Sequence, residues 1–356
     1  MKILYSVQGD GKGHAIRSSV TLEWLKNQGH NVLITASNDA YPILHHKFGH
    51  VIKIEGARML YERNSLLVGK TVNEFFKGFP KRMTKNLDIF FTIGNNFKPD
   101  IVITDMEPMA YYFAKLFNVP IISIDNNSFI ARCKEIPMPK GDRDIFMATR
   151  LMFGFWTPLA DYYIISTFIN SKASQKNVIF VPPILRKQIL DCKPGNKGHV
   201  LVYQTSDKSK NFLDVLKKFD KKFIVYGLNI NKKEKNLIFR KFNEDQFFRD
   251  LGDSKAVIAN GGYTLMGESI YLHKPFLSVP IKKQVEQIYN AICIEKLGYG
   301  LFLKSFSHEG IKRFFDNLEI YEKNLMHYHQ DGNKILFKHL EQLLAKYKHK
   351  KKISFF

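Results

Sequence analysis

The chain has 356 residues, which exceeds a typical single domain and suits two. Hydrophobic residues make up 45% of it and charged residues 24%, values that are ordinary for a globular protein and exclude a disordered or fibrous one. The net charge of +21 suits nucleic acid, an anionic membrane surface or an anionic small substrate, but the sequence contains no RNP motif, zinc-finger spacing or basic zipper, which argues against nucleic acid.

The N-terminal half alternates short apolar runs with amphipathic stretches, as expected for strands joined by crossover helices in a parallel sheet. The most apolar stretch, residues 151–170, is interrupted by Pro158 and Asp161. We therefore predict the end of a helix followed by a strand there, rather than a membrane span. The predicted strands are residues 2–7, 31–36, 101–104, 121–125 and 162–166, and the predicted helices are residues 15–28 and 109–117.

The alternation restarts after a polar stretch at residues 192–198, which is the best linker candidate in the chain. Beyond it we predict a helix at residues 211–219 and strands at residues 199–203, 223–226, 256–259 and 275–279. Residues 332–347 have the pattern of an amphipathic helix. The basic run behind it, which ends in two phenylalanines, could touch an anionic membrane, but we favour a frayed, solvated tail.

The sequence thus predicts an α/β protein with two doubly wound Rossmann-like domains that face each other across a cleft. We place the first domain at residues 1–190 and the second at residues 191–331. The C-terminal helix and tail, residues 332–356, are expected to pack back on the first domain.

A glycine-rich loop separates the first predicted strand from the first helix. Gly9, Gly11 and Gly13 let the backbone approach a ligand closely, and the helix behind them offers free N–H groups to an anion. His14, at the helix start, suits a general base or a phosphate contact, and Arg17 suits an anionic acceptor. The alternatives are a loop that only makes a tight turn and a histidine that only caps it.

Two carboxylates, Asp105 and Glu107, follow the strand at residues 101–104 and are expected at the same edge of the sheet as His14. One could take a proton from an acceptor hydroxyl, while the other could orient His14 or bind a sugar hydroxyl. The alternative is that Asp105 only caps the following helix. Asp125, at the end of the next strand, is a weaker candidate.

The strongest pattern lies at residues 259–269, where a strand ends, two glycines turn and a helix begins with Thr264 in its first turn. Free N–H groups at such a helix start can hold a diphosphate. Glu268, about one turn further, can accept hydrogen bonds from two ribose hydroxyls. A second cluster of amides and carboxylates follows the strand at residues 275–279 and suits a sugar.

Together these residues resemble the donor half of GT-B glycosyltransferases, above all the family of MurG-type and diacylglycerol-galactosyl transferases, and also an archaeal and bacterial glycosyltransferase-like branch. The glycine loop before His14 and residues 28–32 match that family too. The resemblance covers both halves and implies transfer of a hexosyl or N-acetylhexosaminyl group from a UDP-sugar to a lipid or glycan hydroxyl. The residues that carry it are Gly261, Gly262, Thr264, Glu268, Pro275, Pro280, Glu286, Gln287, Asn290 and Ala291.

The resemblance also implies a role for each matching residue. Glu268 would bind the ribose, Arg186 would lie near the donor, and Phe248 would border the base. Thr205 and Ser206 match a second phosphate loop, although the glycines of that loop are replaced here. The diphosphate would be lined by Gly261, Gly262 and Thr264, and the transferred sugar would contact Gln284, Glu286 and Gln287.

We expect neither a metal nor another cofactor. The spacing of a metal-binding DxD motif occurs at Asp142 and Asp144, in a predicted loop, and we interpret it as chance. Helix dipoles and basic residues would then neutralise the diphosphate. The resemblance implies inversion at the anomeric carbon.

The three cysteines, Cys133, Cys192 and Cys293, form no CxxC pair, so we predict neither a disulfide framework nor a zinc site, and a reducing cytosol as the compartment. The first residues lack the apolar run of a signal peptide.

Basic residues alternate with leucines and phenylalanines over residues 58–85. In similar transferases this region touches a membrane, so the resemblance implies a peripheral protein on the inner face of the cell membrane, active on a cell-envelope glycan. A solvated helix face and an anionic soluble acceptor explain the charge equally well. Two other functions stay open: a nucleotide-sugar epimerase of the same fold, and a degenerate binding protein without activity.

Overall fold

The computed structural model describes residues 1–62, 65–134, 143–169, 171–204 and 210–353. These residues form two seven-stranded sheets, one in each half of the chain, and a separate two-stranded ribbon. Helices connect the parallel strands of both sheets, which confirms the predicted fold class of two doubly wound halves.

The first half has the predicted alternation of strands and helices, with several further elements. In chain order they are β1 (Lys2–Val7), α1 (Lys12–Asn27), β2 (Asn31–Ala36), α2 (Ala40–Phe48), β3 (Val51–Lys53), β4 (Tyr61–Glu62), β5 (Ser65–Leu66), α3 (Val68–Thr92), a π-helical turn (Ile93–Phe97), β6 (Ile101–Asp105), α4 (Pro108–Leu116), β7 (Ile121–Asp125), α5 (Ser128–Arg132), α6 (Arg143–Trp156), β8 (Tyr162–Ser166), β9 (Val178–Val181) and α7 (Lys187–Leu190).

The second half begins after the predicted linker. Its elements are β10 (Val200–Tyr203), α8 (Lys210–Leu216), β11 (Phe223–Tyr226), β12 (Lys232–Glu234), β13 (Leu237–Phe239), α9 (Glu244–Gly252), β14 (Ala256–Ala259), α10 (Tyr263–Tyr271), β15 (Phe276–Ser278), α11 (Val285–Leu297), β16 (Gly300–Phe302), α12 (His308–Asp316), α13 (Leu318–Leu325) and α14 (Lys334–Ile353).

The strand order reverses once in each sheet. The first sheet runs β3-β2-β1-β6-β7-β8-β9, and the second runs β12-β13-β11-β10-β14-β15-β16. Within these two sheets the paired strands are parallel except for β12 and β13, and the β4-β5 ribbon is antiparallel. The reversals fall between β1 and β6 and between β10 and β14, and open sheets of this kind bind ligands at the carboxyl ends of such strands.

The last helix, α14, crosses back to the first half. Leu336, Leu340, Leu343 and Leu344 are buried in the core formed by β1, β2 and α1. Phe337 stacks on Trp24 of α1, with ring centroids 4.9 Å apart and planes inclined by 4°. This apolar face explains how a lysine-rich helix packs on the core, since Lys334, Lys338, Lys346 and Lys348 are exposed.

The predicted boundaries at the start of α1 and at the end of α14 were wrong. Helix α1 begins at Lys12 rather than at residue 15, so that His14 lies inside its first turn. Helix α14 continues to Ile353, through most of the basic run that we predicted as a frayed tail. At residues 151–170 the structure confirms a helix end followed by a strand, and among the described residues no helix is both long and apolar enough to span a membrane.

Candidate functional site

The glycine loop between β1 and α1 is held tightly against the neighbouring chain. A Cβ atom on Gly9 would lie 1.9 Å from the carbonyl oxygen of Ser37, so no larger residue fits there. Gly11 caps α1 with a φ of 87°, a conformation that other residues rarely adopt. The loop therefore delivers the start of α1 to the carboxyl edge of the first sheet.

His14, Arg17 and Asp105 meet at that edge. Nδ1 of His14 lies 2.8 Å from Oδ1 of Asp105. Arg17 donates from Nε to Oδ2 and from Nη2 to Oδ1 of the same carboxylate, both at 2.7 Å. Ser18 adds a hydrogen bond from its hydroxyl to Oδ2 at 3.0 Å. The side chains come from α1 and from the end of β6, the two elements at the reversal point of the sheet.

Asp105 is ionised although it is fully buried. Burial alone would raise its pKa, but the positive charge of Arg17 and the hydrogen bonds that Arg17 and His14 donate hold the pKa below its usual range. Nη2 of Arg17 also lies 2.7 Å from Nδ1 of His14, but it donates to Oδ1 of Asp105. An ionised carboxylate only accepts hydrogen bonds, so we assign the Nδ1 proton of His14 to the bond with Asp105. This tautomer leaves Nε2 of His14 with a lone pair that can accept a proton.

Glu107 has different neighbours from Asp105. It caps α4 by accepting a hydrogen bond from the backbone N–H of Met109 at 3.3 Å, and it accepts another from the hydroxyl of Ser37 at 2.8 Å. Burial raises the pKa of Glu107 to about 7. The structure thus places this predicted catalytic carboxyl in a buried capping position, whereas Asp105 contacts His14.

The start of α10 faces the glycine loop from the second half. Gly261 has a φ of 95°, and a Cβ atom there would lie 2.5 Å from the hydroxyl of Ser278. Gly262 is the N-cap and offers no side-chain hydrogen bond, so the first N–H groups of α10 remain available to an anion. A Cβ atom on Gly13 would lie 3.2 Å from Oγ1 of Thr264, which shows that the two helix starts oppose each other across the cleft.

Glu268, Arg186 and Phe248 form one compact group behind this helix start. Arg186 donates from Nε and Nη2 to the two oxygens of Glu268, at 2.6 and 2.7 Å. Its guanidinium carbon lies 4.4 Å from the centre of the Phe248 ring. Each carboxylate oxygen of Glu268 keeps one lone-pair direction for another donor. The structure therefore brings these predicted donor residues together, with Arg186 as the first partner of Glu268.

The start of α11 carries the three residues predicted to contact the sugar. Gln284 caps the helix by accepting from the N–H of Gln287 at 2.7 Å, and Gln287 accepts from the N–H of Ile281 at 2.9 Å. Glu286 instead points across the cleft, where it accepts a hydrogen bond from Nδ2 of Asn126 at 2.9 Å. Of the three, Glu286 is the one that reaches the first half.

Sequence reasoning missed two residues of this site, Asp10 and Asn126. Burial raises the pKa of Asp10 to about 6, and the negative charges of Asp39 and Glu286 add to the rise. Asn126 follows β7 and joins Arg17 to Glu286. Asp10 lies in the glycine loop itself, and this position could have marked it as a site residue. For Asn126 the sequence offered no signal except that the residue follows a strand.

Thr205, Ser206 and Asp142 lie outside the described residues, so their predicted roles stay predictions. Within the described part of the chain, no three histidine, cysteine, aspartate or glutamate side chains are grouped as a metal site requires. The carboxylate of Asp125 binds the start of α5, where it accepts hydrogen bonds from the N–H and the hydroxyl of Ser128 at 2.6 and 2.8 Å.

Comparison with protein families gives one model that matches, described as glycosyl transferase family 1, over residues 1–319. An uncharacterised glycosyltransferase of Methanosarcina mazei is 25% identical over 342 residues and covers 85% of this chain and 86% of its own length. One from Methanosarcina acetivorans is 24% identical over 336 residues, with the same two shares of 85% and 86%.

Solved structures of the same architecture cover nearly the whole chain. Phytolacca americana UGT2, solved with UDP-2-fluoroglucose and pterostilbene, has a TM-score of 0.68 at 12% identity and covers 97% of this chain and 98% of its own. MurG of Acinetobacter baumannii has a TM-score of 0.62 at 13% identity and covers 96% and 100%. At such identities the likeness shows the fold, which is the GT-B arrangement of two Rossmann-like domains.

Proposed function

Because the chain belongs to glycosyl transferase family 1 and is a glycosyltransferase of the GT-B type, we propose that it moves a sugar from a UDP-sugar to a hydroxyl of a lipid or glycan acceptor. We further propose that the transfer inverts the anomeric carbon and needs no metal. The observation that carries this proposal is the contact of His14 with Asp105, directly opposite the uncapped start of α10.

In the proposed reaction His14 is the general base. Its Nε2 takes the proton of the acceptor hydroxyl while the oxygen attacks the anomeric carbon, and the bond from that carbon to the diphosphate oxygen breaks. Asp105 stabilises the imidazolium that forms, because its carboxylate stays ionised beside Nδ1. The departing UDP carries its new negative charge to the N–H groups of α10, and attack from the opposite face inverts the centre.

Donor binding falls to the second half in this proposal. Gly261, Gly262 and Thr264 line the diphosphate, and Glu268 uses its remaining lone pairs for the ribose. Arg186 holds that carboxylate and adds positive charge beside the phosphates. The solved complex of Phytolacca americana UGT2 contains a UDP-sugar analogue, which supports UDP as the nucleotide here.

An exposed apolar stripe on the first half supports a membrane-bound acceptor. Met147, Leu151 and Phe155 lie four residues apart along α6 and are exposed by 42%, 62% and 60%. The ring of Phe76 on α3 meets Phe155 at 6.0 Å, and Leu159 continues the row with an exposure of 73%. We name these five residues the apolar stripe.

Lysines beside the apolar stripe favour an anionic lipid surface as its partner. Lys70, Lys77 and Lys81 are exposed on α3. The buried face of α6 contacts Met106 and Val285, the neighbours of Asp105 and Glu286 in the chain. A lipid acceptor that enters along α6 would thus reach the proposed reaction centre. We propose that the protein acts at the inner face of the cell membrane.

The test of the donor is a thermal-shift screen with UDP-, GDP-, CMP- and dTDP-sugars, because a ligand that binds only the folded state raises the melting temperature. We expect UDP-sugars to give the largest shift. The donor proposal fails if none of the four classes stabilises the protein.

The test of the base is the variant His14→Ala, assayed by release of UDP from the donor that the screen selects. Turnover should fall at least about a hundredfold, the usual contribution of a general base, while the thermal shift by UDP is kept. The matched control is His46→Ala on the exposed face of α2, which should behave as wild type. An equal loss of turnover and UDP binding in His14→Ala would move His14 to a binding role.

A further inference from the structure

One polar bridge crosses the cleft between the two halves. Asn126 accepts a hydrogen bond from Nη1 of Arg17 on its Oδ1 atom, and it donates from Nδ2 to Oε1 of Glu286 at 2.9 Å. With its side-chain amide oriented so that Nδ2 faces Glu286, Asn127 donates to Oε2 of Glu286 at 3.0 Å. Asn126 is 6% exposed, so water competes little for these bonds.

The chemistry of the bridge requires a carboxamide at position 126. One end of the side chain must accept from a cation, Arg17, and the other end must donate to an anion, Glu286. Aspartate would keep the first bond and replace the second by repulsion between two carboxylates. Alanine would lose both bonds without adding a charge.

The two ends of the bridge are the two parts of the proposed reaction centre. Arg17 also donates to Asp105, the carboxylate that holds His14. Glu286 stands in the first turn of α11, and Asn290, one turn further, donates to the carbonyl oxygen of Gly261 at 3.0 Å. A continuous path of hydrogen bonds and one helical turn therefore runs from the base of the first half to the phosphate loop of the second.

We propose that Asn126 is the positioning residue that sets the sugar-binding Glu286 against the His14–Asp105 pair when the cleft is closed. The catalytic meaning of this inference rests on the proposed function, whereas the bridge itself does not. Asn126 touches neither the reacting atoms nor the diphosphate loop. Its loss should therefore lower turnover while leaving the affinity for UDP alone unchanged.

The first experiment compares Asn126→Ala with Asn126→Asp in the UDP-release assay. Loss of the bridge in Asn126→Ala should reduce turnover roughly tenfold, as expected for a buried charge-assisted hydrogen bond. Asn126→Asp should lose at least as much, with UDP affinity by calorimetry unchanged in both. Wild-type turnover in Asn126→Asp would overturn the inference, because the residue would then serve Arg17 alone.

The second experiment is a double-mutant cycle of melting temperatures that needs no substrate. Glu286→Gln should lower the melting temperature in the wild-type background but raise it in the Asn126→Asp background, since the new amide can donate to the new carboxylate. Equal effects in both backgrounds would refute a direct contact. This cycle decides the bridge even if no nucleotide sugar binds, a result that would reject only the proposed function.

The matched control is another hydrogen bond across the cleft, between Oγ of Ser166 and the hydroxyl of Tyr263 at 2.9 Å. Ser166→Ala removes a neutral hydrogen bond that also crosses the cleft but does not involve Glu286. It should keep turnover within about twofold of wild type. A loss equal to that of Asn126→Ala would show that any weakening of the closed cleft slows the reaction, and would overturn a specific role for Asn126.

Discussion

Asp105 and Glu107 are buried carboxyls two residues apart, and their surroundings give them opposite acidities. Burial opposes the charged form of both. Asp105 faces Arg17 and His14, and the positive charge of Arg17 together with the hydrogen bonds from both side chains outweighs burial and lowers the pKa of Asp105. Glu107 faces a hydroxyl and one backbone N–H, which are too weak to offset burial, and its pKa rises to about 7. The pair thus divides into one permanent anion for the proposed reaction and one carboxyl that titrates near neutrality.

Glu107 makes stability depend on pH in a defined direction. The pKa of Glu107 is about 7 in the folded chain and 4.5 as a free side chain. Burial of its charge therefore costs no folding free energy below pH 4.5, where the carboxyl is neutral in both states, and costs the full free energy above pH 7. The free energy of unfolding should therefore fall as pH rises through this window, by on the order of 3 kcal/mol. Glu107→Gln, which stays neutral and still accepts from Met109, should remove that decline.

The measurement is urea unfolding of wild type and Glu107→Gln at pH 5 and pH 8. The advantage of the variant should have its full size at pH 8 and shrink to about a quarter of it at pH 5, because pH 5 lies just above the free pKa of 4.5. Glu319→Gln, an exposed change on α13, serves as the control and should leave the pH dependence of wild type intact. Parallel pH dependences of wild type and Glu107→Gln would mean that Glu107 does not titrate in this range.

The convergence of His14 and Asp105 could be predicted from the sequence, because each follows a strand and both strands end at one edge of a parallel sheet. The pairing of Arg186 with Glu268 was suggested as proximity to the donor but not as a bidentate contact, since their positions are 82 residues apart. The Asn126 bridge to Glu286 spans 160 residues and two sheets. No local pattern marks a contact that only the closure of the cleft creates.

Among the elements, α3 and α6 depart most from the sequence prediction. Helix α3 runs for 25 residues and contains Pro80, which argues against a helix when the sequence is read locally. Its amphipathic spacing prevails because one face packs on the core at Phe75 and Phe90 while the other is polar. Helix α6 begins beside residues outside the described part, and it was predicted only as a helix end. The central strands of both sheets were predicted because they are short, continuous apolar runs, whereas β3, β9, β12, β13 and β16, at or near the sheet edges, were not.

Helix α6 has two apolar faces, which is unusual for a helix on a surface. Phe146, Met152, Phe153 and Trp156 are buried, and Trp156 stacks on Phe75 at 4.9 Å. Met147, Leu151 and Phe155 of the apolar stripe lie on the opposite side of α6 and remain exposed. Packing within the chain accounts for the first face alone, so the second needs a partner, which we propose to be an anionic membrane.

Leu151→Ser combined with Phe155→Ser should release the protein from vesicles that contain phosphatidylglycerol. Each lost side chain removes about 1.5–3 kcal/mol of burial in lipid, so the bound fraction in a sedimentation assay should fall more than tenfold. The melting temperature should be unchanged, because both residues are exposed. Ile320→Ser on α13, exposed by 57%, is the control and should bind like wild type. Absence of wild-type binding to these vesicles would refute the proposed surface.

At the scale of the whole molecule, the chain crosses between the halves twice, and hydrogen bonds link the two crossing segments. The side chain of Asn333 accepts from the N–H of Leu185 at 2.9 Å and donates to its carbonyl oxygen at 2.8 Å. Gln330 donates to the carbonyl oxygen of Pro183 at 2.6 Å. We call these three hydrogen bonds the joint. They link the two segments that pass between the halves, and α14 follows directly and packs on the first half.

Helix α14 should therefore stabilise the first half although it follows the second in the sequence. Leu340 is fully buried in the core formed by β1, β2 and α1, so Leu340→Ala should lower the free energy of unfolding by about 2–5 kcal/mol. Both tryptophans, Trp24 and Trp156, lie in the first half, and Trp24 is next to α14. Tryptophan fluorescence during heating thus reports the first half alone.

The loss should appear in the fluorescence melting curve, while circular dichroism, which follows both halves, should show a second transition that the variant leaves in place. Lys338→Ala on an exposed face of the same helix should change stability by less than about 0.5 kcal/mol. A single transition that shifts equally by both methods would instead mean that the joint and the Asn126 bridge couple the halves into one cooperative unit. In that case the two halves would unfold together, and α14 would stabilise the whole molecule rather than the first half.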